Sequence, residues 1–229
     1  MKYCGLCFVF CVIMGVRIKR TMLVLRKKPW RAVMSILYDY FGGLYINLTN
    51  RCPNQCEFCI RNYTDRLGSA DSLVLKEDPT VEEVKAELRR WDVNAYDEVI
   101  FCGYGEPTER LPELLELARH IKAAYGKPIR INTNGLADLI WERETAPDLE
   151  GIIDAVSVSL NEADAESYQR LCHPRFGLKS YDAILKYIED VKKYVPYVAV
   201  SVVSGAVSRD ALEKCRAKAG EMGVHFKVR

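Results

Sequence analysis

Cys52, Cys56 and Cys59 lie within the stretch NLTNRCPNQCEFCIR, separated by three residues and then by two. Thiolates are soft ligands that select zinc, copper(I) or iron–sulfur clusters. A closed zinc site takes four ligands, and so does an ordinary iron–sulfur centre. No fourth ligand is nearby: His120, His173 and His225 are scattered, and Cys102, Cys172 and Cys215 stand singly in separate elements. Spacing this tight also suits a shared ligand better than two disulfide bridges. Three cysteines can hold three irons of a [4Fe-4S] cube and leave the fourth open, and an open position marks a reactive metal site. Structural zinc is the plainer reading of the same triad.

Such a triad needs a scaffold that brings loops together. From residue 44 onward, short apolar runs alternate with amphipathic stretches, the pattern of repeated β/α units and a parallel sheet. Strands are expected at 44–48, 98–102, 128–133, 155–160, 197–203 and 224–228. Thr80-Val81-Glu82-Glu83 after Pro79 spells a capping box, in which hydroxyl and carboxylate satisfy each other's exposed backbone N–H groups. Val81, Val84, Leu88 and Trp91 then share one helical face, and Leu111, Leu114, Leu115, Ala118 and Ile121 the next. Ile184, Leu185, Ile188 and Val191 make another after the candidate cap Ser180. Eight strands would close a TIM barrel. Six in order predict an α/β fold, an open partial (β/α)6 barrel with parallel strands; a doubly wound sheet is the alternative.

Chemistry in parallel α/β architectures gathers at the carboxyl ends of the strands. Cys52 to Cys59 follow the first expected strand, and Gly103-Tyr104-Gly105-Glu106-Pro107 follows the second. Asn132-Thr133-Asn134-Gly135 ends the third, and Ser157-Val158-Ser159-Leu160-Asn161 the fourth. The triad therefore stands where an active site belongs.

At 229 residues, 49% hydrophobic and 28% charged, the chain can bury one full core. Its net charge of +2 averages two unlike parts. Residues 1–33 carry eight Lys/Arg and no Asp/Glu, which leaves 25 basic against 31 acidic residues, a net of −6, for residues 34–229. That acidic body is not drawn to nucleic acid by bulk charge. The apolar run 3–16 is too short for a bilayer, where roughly 20 residues are needed, and lacks a small-residue cleavage site. Cys4, Cys7 and Cys11 within it alternate with apolar residues and bring no other sign of a fold. The domain is expected to start near Met34, with residues 1–33 an N-terminal extension, disordered or a gene-start artefact. Membrane association is the weaker alternative.

On these residues the sequence resembles the radical SAM superfamily. Cys52-Pro-Asn-Gln-Cys56-Glu-Phe58-Cys59 has its C-x3-C-x2-C spacing, with an aromatic residue before the last cysteine. Gly103-Tyr104-Gly105-Glu106-Pro107 looks like its glycine-glycine-glutamate-proline motif, with Tyr104 inserted between the glycines. The resemblance covers residues 44–229 and makes 34–229 a radical SAM core domain. More narrowly, YINLTNRCPNQCEFCIR, FCGYGEPT and LCHPRFG resemble radical SAM proteins encoded beside TatD-type nucleases. A nucleic-acid context follows from that only by association, and the acidic body gives it no support.

The resemblance implies a [4Fe-4S] cluster on Cys52, Cys56 and Cys59, whose open iron takes the amino and carboxylate groups of S-adenosyl-L-methionine (SAM). One electron passed to the sulfonium releases methionine and a 5′-deoxyadenosyl radical, which abstracts hydrogen from a substrate. It also implies that the backbone at Phe58 lies against the adenine, and that Gly103, Tyr104 and Gly105 approach the cofactor closely. Glu106 is expected near the methionine amino group, and Thr133, Asn134, Ser159 and Asn161 at the carboxylate and ribose hydroxyls. A reducing electron donor such as flavodoxin or ferredoxin and a cytoplasmic location complete the expectation. No auxiliary cluster and no membrane are expected. The unknown substrate is expected to be a macromolecule, or a partner that covers the open side; a tightly enclosed metabolite is the competing picture.

Plainer uses stand beside each of these. Glu106 can cap the helix after it, Ser157 and Ser159 can fill the barrel, and Asn134-Gly135 is a turn signal. Cys172 and His173 read as loop residues, with a substrate role to be tested. Cys102 reads as core. Arg61 and Arg66 are either solvent-exposed or a grip for an anionic substrate, and Trp91 and Trp141 read as packing. The rival functions are a 7-carboxy-7-deazaguanine-synthase-like or glycyl-radical-activating enzyme, and a non-catalytic iron–sulfur or zinc-binding module.

Overall fold

Each of the six apolar runs becomes a strand, and a seventh precedes them. The computed structural model describes residues 35–229; the readings made for residues 1–33, with Cys4, Cys7 and Cys11, lie outside the described residues. The strands are β1 (Leu37–Tyr40), β2 (Gly43–Ile46), β3 (Val99–Phe101), β4 (Ile129–Thr133), β5 (Ala155–Ser159), β6 (Tyr197–Val202) and β7 (His225–Val228). The helices are α1 (Val81–Leu88), α2 (Leu111–Tyr125), α3 (Ala137–Trp141), α4 (Ala165–Cys172), α5 (Lys179–Val191) and α6 (Arg209–Glu221). Among the described residues, no helix is long and apolar enough to cross a membrane.

The strands lie side by side in sequence order from β1 to β7, and all neighbours from β2 onward are parallel. A doubly wound sheet reverses its order at a switch point. Here the order never reverses, so right-handed crossovers taken in one direction put the helices on one side. Val99, Phe101, Ile129, Ile131, Val156 and Val158 face those helices and are fully buried. The intervening residues, among them Tyr45, Arg130, Asn132 and Ser157, line the opposite, concave face. Cys102, expected in the core, belongs to this polar face and is only partly buried. The sheet stays open, with β1 and β7 as its edges. The expected partial barrel is the observed fold.

The additional strand comes from a two-residue hairpin. Tyr40 pairs with Gly43, which leaves Phe41 and Gly42 as the turn, with φ of 46° and 79°. Positive φ at both central positions matches the right-handed strand twist. Phe41 is an unusual residue for that conformation, so the apolar run around it reads as a single strand.

Two helix starts show how local signals fare. The capping box forms: Thr80 Oγ1 accepts from Glu83 N at 3.2 Å, and Glu83 Oε2 accepts from Thr80 N at 2.8 Å. Ser180, by contrast, does not cap α5. A turn closed by Gly177 N–H to Pro174 O delivers the chain already helical at Leu178, so Ser180 falls inside the helix, buried and with its hydroxyl unpartnered.

Candidate active site

The cysteine loop leaves β2 and is shaped by its own polar residues. Thr49 Oγ1 accepts from Arg51 N at 3.0 Å, and the Asn50 side chain exchanges two bonds with the backbone of Leu75, at 2.6 and 3.1 Å. Cys59 N–H bonds to Cys56 O at 3.1 Å, which curls the triad. The C-terminal end of α4 then clamps the loop. Gln55 N–H donates to Cys172 O at 3.0 Å, Glu57 N–H to Leu171 O at 3.1 Å and Arg175 N–H to Pro53 O at 2.8 Å. Asn54 Nδ2 donates to the buried Tyr168 hydroxyl at 2.8 Å, and His173 Nε2 stands 3.2 Å from Glu57 Oε1. Cys172 and His173, read from sequence as loop residues, thus belong to the cradle of the triad.

All three cysteines of the triad are free thiols, half-buried. Burial, reinforced by the Glu106 charge, pushes Cys52 up to about 12. Cys56 is drawn down by a hydrogen bond with Cys172, whose own thiol is held up by that bond and by burial. Arg61 donates from Nε to Cys59 Sγ at 3.4 Å and from Nη1 to Asn50 O at 3.0 Å. Burial opposes its charge, but the bond to Cys59 and the field of the triad raise its pKa overall. A half-buried cation beside the triad favours the charge that sulfur carries when it binds a soft metal. Among the described residues, no three His, Cys, Asp or Glu side chains converge on one ion. A [4Fe-4S] cube takes one soft sulfur per iron, and the curled loop presents three of them. The triad fits the cluster.

The glycine–glutamate loop after β3 lies directly on this one. A Cβ at Gly103 would sit 2.0 Å from Asn47 Oδ1, and one at Gly105 would sit 2.3 Å from Thr49 O and 2.5 Å from Arg51 O. The glycines are therefore needed for the approach of one loop to the other. Glu106 N–H donates to Arg51 O at 2.8 Å, next to Cys52. The Glu106 carboxylate is buried and takes four donors: Thr108 N at 3.1 Å, Thr108 Oγ1 at 2.7 Å, Thr133 Oγ1 at 2.7 Å and Asn134 N at 2.7 Å. It does cap the short turn Pro107–Arg110, and it also ties β3 to the end of β4. Burial raises its pKa against the pull of those bonds. The Tyr104 phenol is turned into a small cluster with Tyr38, Ala70 and Leu73, and it donates to Thr64 O.

The remaining predicted residues gather at the same end of the sheet. Asn134 Nδ2 lies 3.9 Å from Cys52 Sγ, and Asn134 Oδ1 accepts from Leu136 N at 3.0 Å. Thr133 is spent on Glu106 and on Gly135 N. Asn161 adopts a left-handed φ of 58° and its Oδ1 accepts from Val203 N at 3.3 Å. Ser159 Oγ accepts from Arg229, and Phe58 packs partly buried against the core. Arg66 is exposed, and Trp141 donates to Thr108 O at 2.7 Å beneath Glu106. The residues that sequence missed are Asn47, Asn54, Thr108 and Tyr168, all buried polar supports. Only the Asn-x-x-Asn-Arg-Cys-x-Asn run around the triad hints at two of them, Asn47 and Asn54.

Comparison with known proteins bears on the family and the fold. The Radical SAM superfamily matches residues 46–216. The tungsten-containing aldehyde ferredoxin oxidoreductase cofactor-modifying protein of Pyrococcus furiosus is 29% identical over 165 residues, 70% of this chain and 43% of that protein. The chain thus spans less than half the length of that curated relative. A radical SAM methyltransferase from Sphaerobacter thermophilus superposes with a TM-score of 0.56 at 17% identity, over 84% of this chain and 57% of the other. Streptococcus suis SuiB bound to S-adenosylmethionine does so with a TM-score of 0.54 at 16% identity, over 80% and 39%. The narrower likeness to TatD-associated proteins is not confirmed by these comparisons.

Proposed function

The chain belongs to the radical SAM superfamily, and from that membership we propose that it cleaves S-adenosyl-L-methionine reductively at a [4Fe-4S] cluster held by Cys52, Cys56 and Cys59. Radical SAM proteins are enzymes that use such a cluster and SAM. When bound, that pair supplies a 5′-deoxyadenosyl radical able to abstract hydrogen, and the protein supplies position and exclusion of water.

The chain's own residues divide that work. The α4 clamp fixes the main chain around the triad through backbone bonds, which do not depend on side-chain rotamers. Arg61 sets a positive charge 3.4 Å from Cys59 Sγ. Glu106, saturated by four protein donors, orders the loops that carry Gly103–Gly105 and Asn134. Main-chain groups of 103–106 would hold the methionine amino group. Tyr104 contributes there only through its backbone, because its phenol is packed away. Asn134, Ser159 and Asn161 stand at the strand ends for the carboxylate and ribose, and Phe58 for the adenine.

The observation that carries this is a three-cysteine loop, pinned by backbone bonds at the carboxyl end of an open parallel sheet. A reductant such as flavodoxin or ferredoxin delivers the electron, and a macromolecular substrate or partner covers the open side. The Pyrococcus furiosus relative favours a second reading, in which the substrate is an organic cofactor. Anaerobic reconstitution tests the metal: iron and sulfide in near-equal amounts are expected, with absorption in the blue that bleaches on reduction. Zinc without that absorption would replace the enzyme with a binding module.

A further inference from the structure

Each sulfur of the triad has a side-chain donor beside it, and the donors come from different elements. Asn134 Nδ2, just past β4, lies 3.9 Å from Cys52 Sγ, and Arg61 Nε donates to Cys59 Sγ at 3.4 Å. Cys56 has the thiol of Cys172, the last residue of α4, with the Asn54 amide as a further donor. Helix periodicity puts Cys172 there. Tyr168 and Cys172 are one turn apart on α4 and share a face. That face is turned to the cysteine loop, because the Tyr168 hydroxyl takes the Asn54 amide at 2.8 Å. The end of the same helix brackets Cys56: Cys172 O accepts from Gln55 N at 3.0 Å, and Leu171 O from Glu57 N at 3.1 Å. Cys56 then packs against the core cluster to which Cys172 belongs, and Cys172 has no solvent exposure.

A thiolate bound to iron carries no proton, so the hydrogen between these two sulfurs belongs to Cys172. An S–H group is a weak donor, but at this buried position water does not compete for it. The Asn161 amide holds the Cys172 sulfur from another side, which leaves the S–H to face Cys56. Hydrogen bonds to the sulfurs are among the levers that set an iron–sulfur potential. Reduction adds negative charge to a cluster and its thiolates, and a bond donated to that charge strengthens. The electron comes from the reductant; no proton moves, and no bond to Cys172 forms or breaks. We propose that Cys172, by donating its S–H to Cys56, makes the cluster easier to reduce, as a positioning residue that acts through the ligand it touches. In naming a [4Fe-4S] cluster this rests on the function proposed above; the pairing of the two cysteines rests on the chain alone.

The test is a potentiometric titration of the reconstituted full chain, followed by the electron paramagnetic resonance of the reduced cluster. The potential belongs to each cluster present, so incomplete loading of a variant does not alter it. Cys172→Ala should leave the cluster about tenfold harder to reduce, about 59 mV more negative for one electron. Cys172→Ser keeps a donor of similar size and should lie closer to the unaltered protein than to Cys172→Ala. Cys215→Ala, which removes a buried thiol from α6, should not move the potential. Equal potentials in Cys172→Ala and the unaltered protein overturn the proposal. So does a Cys172→Ser potential as low as that of Cys172→Ala, which would mean that the residue only packs the loop. Where neither variant holds a cluster, the infrared difference between oxidised and reduced unaltered protein decides. A thiol S–H band that moves to lower frequency on reduction is expected, and its absence overturns the proposal. Zinc in place of iron would overturn it together with the enzyme. SAM separates the two: a shifted potential in a protein whose resonance signal ignores SAM keeps the donor and removes the radical SAM function. A signal that responds to SAM, with a potential that Cys172→Ala leaves unmoved, does the reverse.

Discussion

Asn54 donates its side-chain amide to the Tyr168 hydroxyl at 2.8 Å, across 114 positions of sequence and inside the protein. The bond joins the cysteine loop to α4 at the point where Gln55 and Glu57 also bond to that helix end. Asn54 Oδ1 has no partner, so this amide depends on one strong contact. Tyr168→Phe removes the acceptor and leaves a buried donor unsatisfied, at a cost of roughly 1–3 kcal/mol. Denaturant midpoints should fall by that amount, and iron retained per chain should fall with them. Unchanged iron content in a destabilised variant would show that α4 supports the fold but not the loop.

Gly105 and Gly220 make opposite predictions from the same substitution. At Gly105 a Cβ meets the backbone oxygens of Thr49 and Arg51 at 2.3 and 2.5 Å, and backbone cannot step aside. Gly105→Ala should cost about 1–3 kcal/mol or more, and separate the two loops that form the site. Gly220, near the end of α6, has open space around its missing Cβ and no positive φ. Gly220→Ala should gain a few tenths to about 1 kcal/mol of helix propensity. Thermal or urea unfolding of the two proteins gives the comparison, and a destabilised Gly220→Ala would contradict it.

Glu106 predicts a pH dependence. Burial raises its carboxyl pKa above the ordinary 4.5, against the opposing pull of four hydrogen bonds. The folded chain then holds this proton more tightly than the unfolded chain does. Its contribution to stability is full below the unfolded value and declines as pH rises through the raised folded value. Glu106→Gln, which cannot ionise, should flatten that part of the stability–pH profile. A profile with the same slope in both proteins would place the titration elsewhere.

Arg110 is the buried cation of the supporting layer. It donates from Nη1 to Leu48 O at 3.3 Å and Pro79 O at 2.5 Å, and from Nη2 to Glu113 at 2.9 Å. It thereby ties the exit of β2 to the entry of α1. Arg110→Met keeps the stem but strands two carbonyls, for a loss of about 1.5–3 kcal/mol. Equilibrium unfolding measures it, and a change within ±0.5 kcal/mol, ordinary for a surface site, would show that water replaces the guanidinium.

What could be read beforehand was local or periodic. Six parallel strands followed from apolar runs of the right length, the start of α1 from Thr80 and Glu83, and the triad's position from its place after a strand. Buried polar supports were not legible. Asn54 and Tyr168 carry no spacing that links them, and their bond exists only because α4 folds back over the loop. Tyr104 reads as part of a cofactor motif because its neighbours are glycines. Only the packing of residues 60–79 shows where its ring goes. The β1–β2 hairpin escaped because Phe41 occupies a turn position that usually takes Asn or Gly. Ser180 misled for a related reason: a helix entered from a turn needs no side-chain cap.

The central claim is that the triad holds a cluster whose free corner receives SAM. Its most direct measurement is 5′-deoxyadenosine formed from SAM under strong reductant without oxygen, by the reconstituted protein and by Cys56→Ala in parallel. The account predicts deoxyadenosine and methionine in equal amounts from the first and none above background from the second; equal rates from both would contradict it.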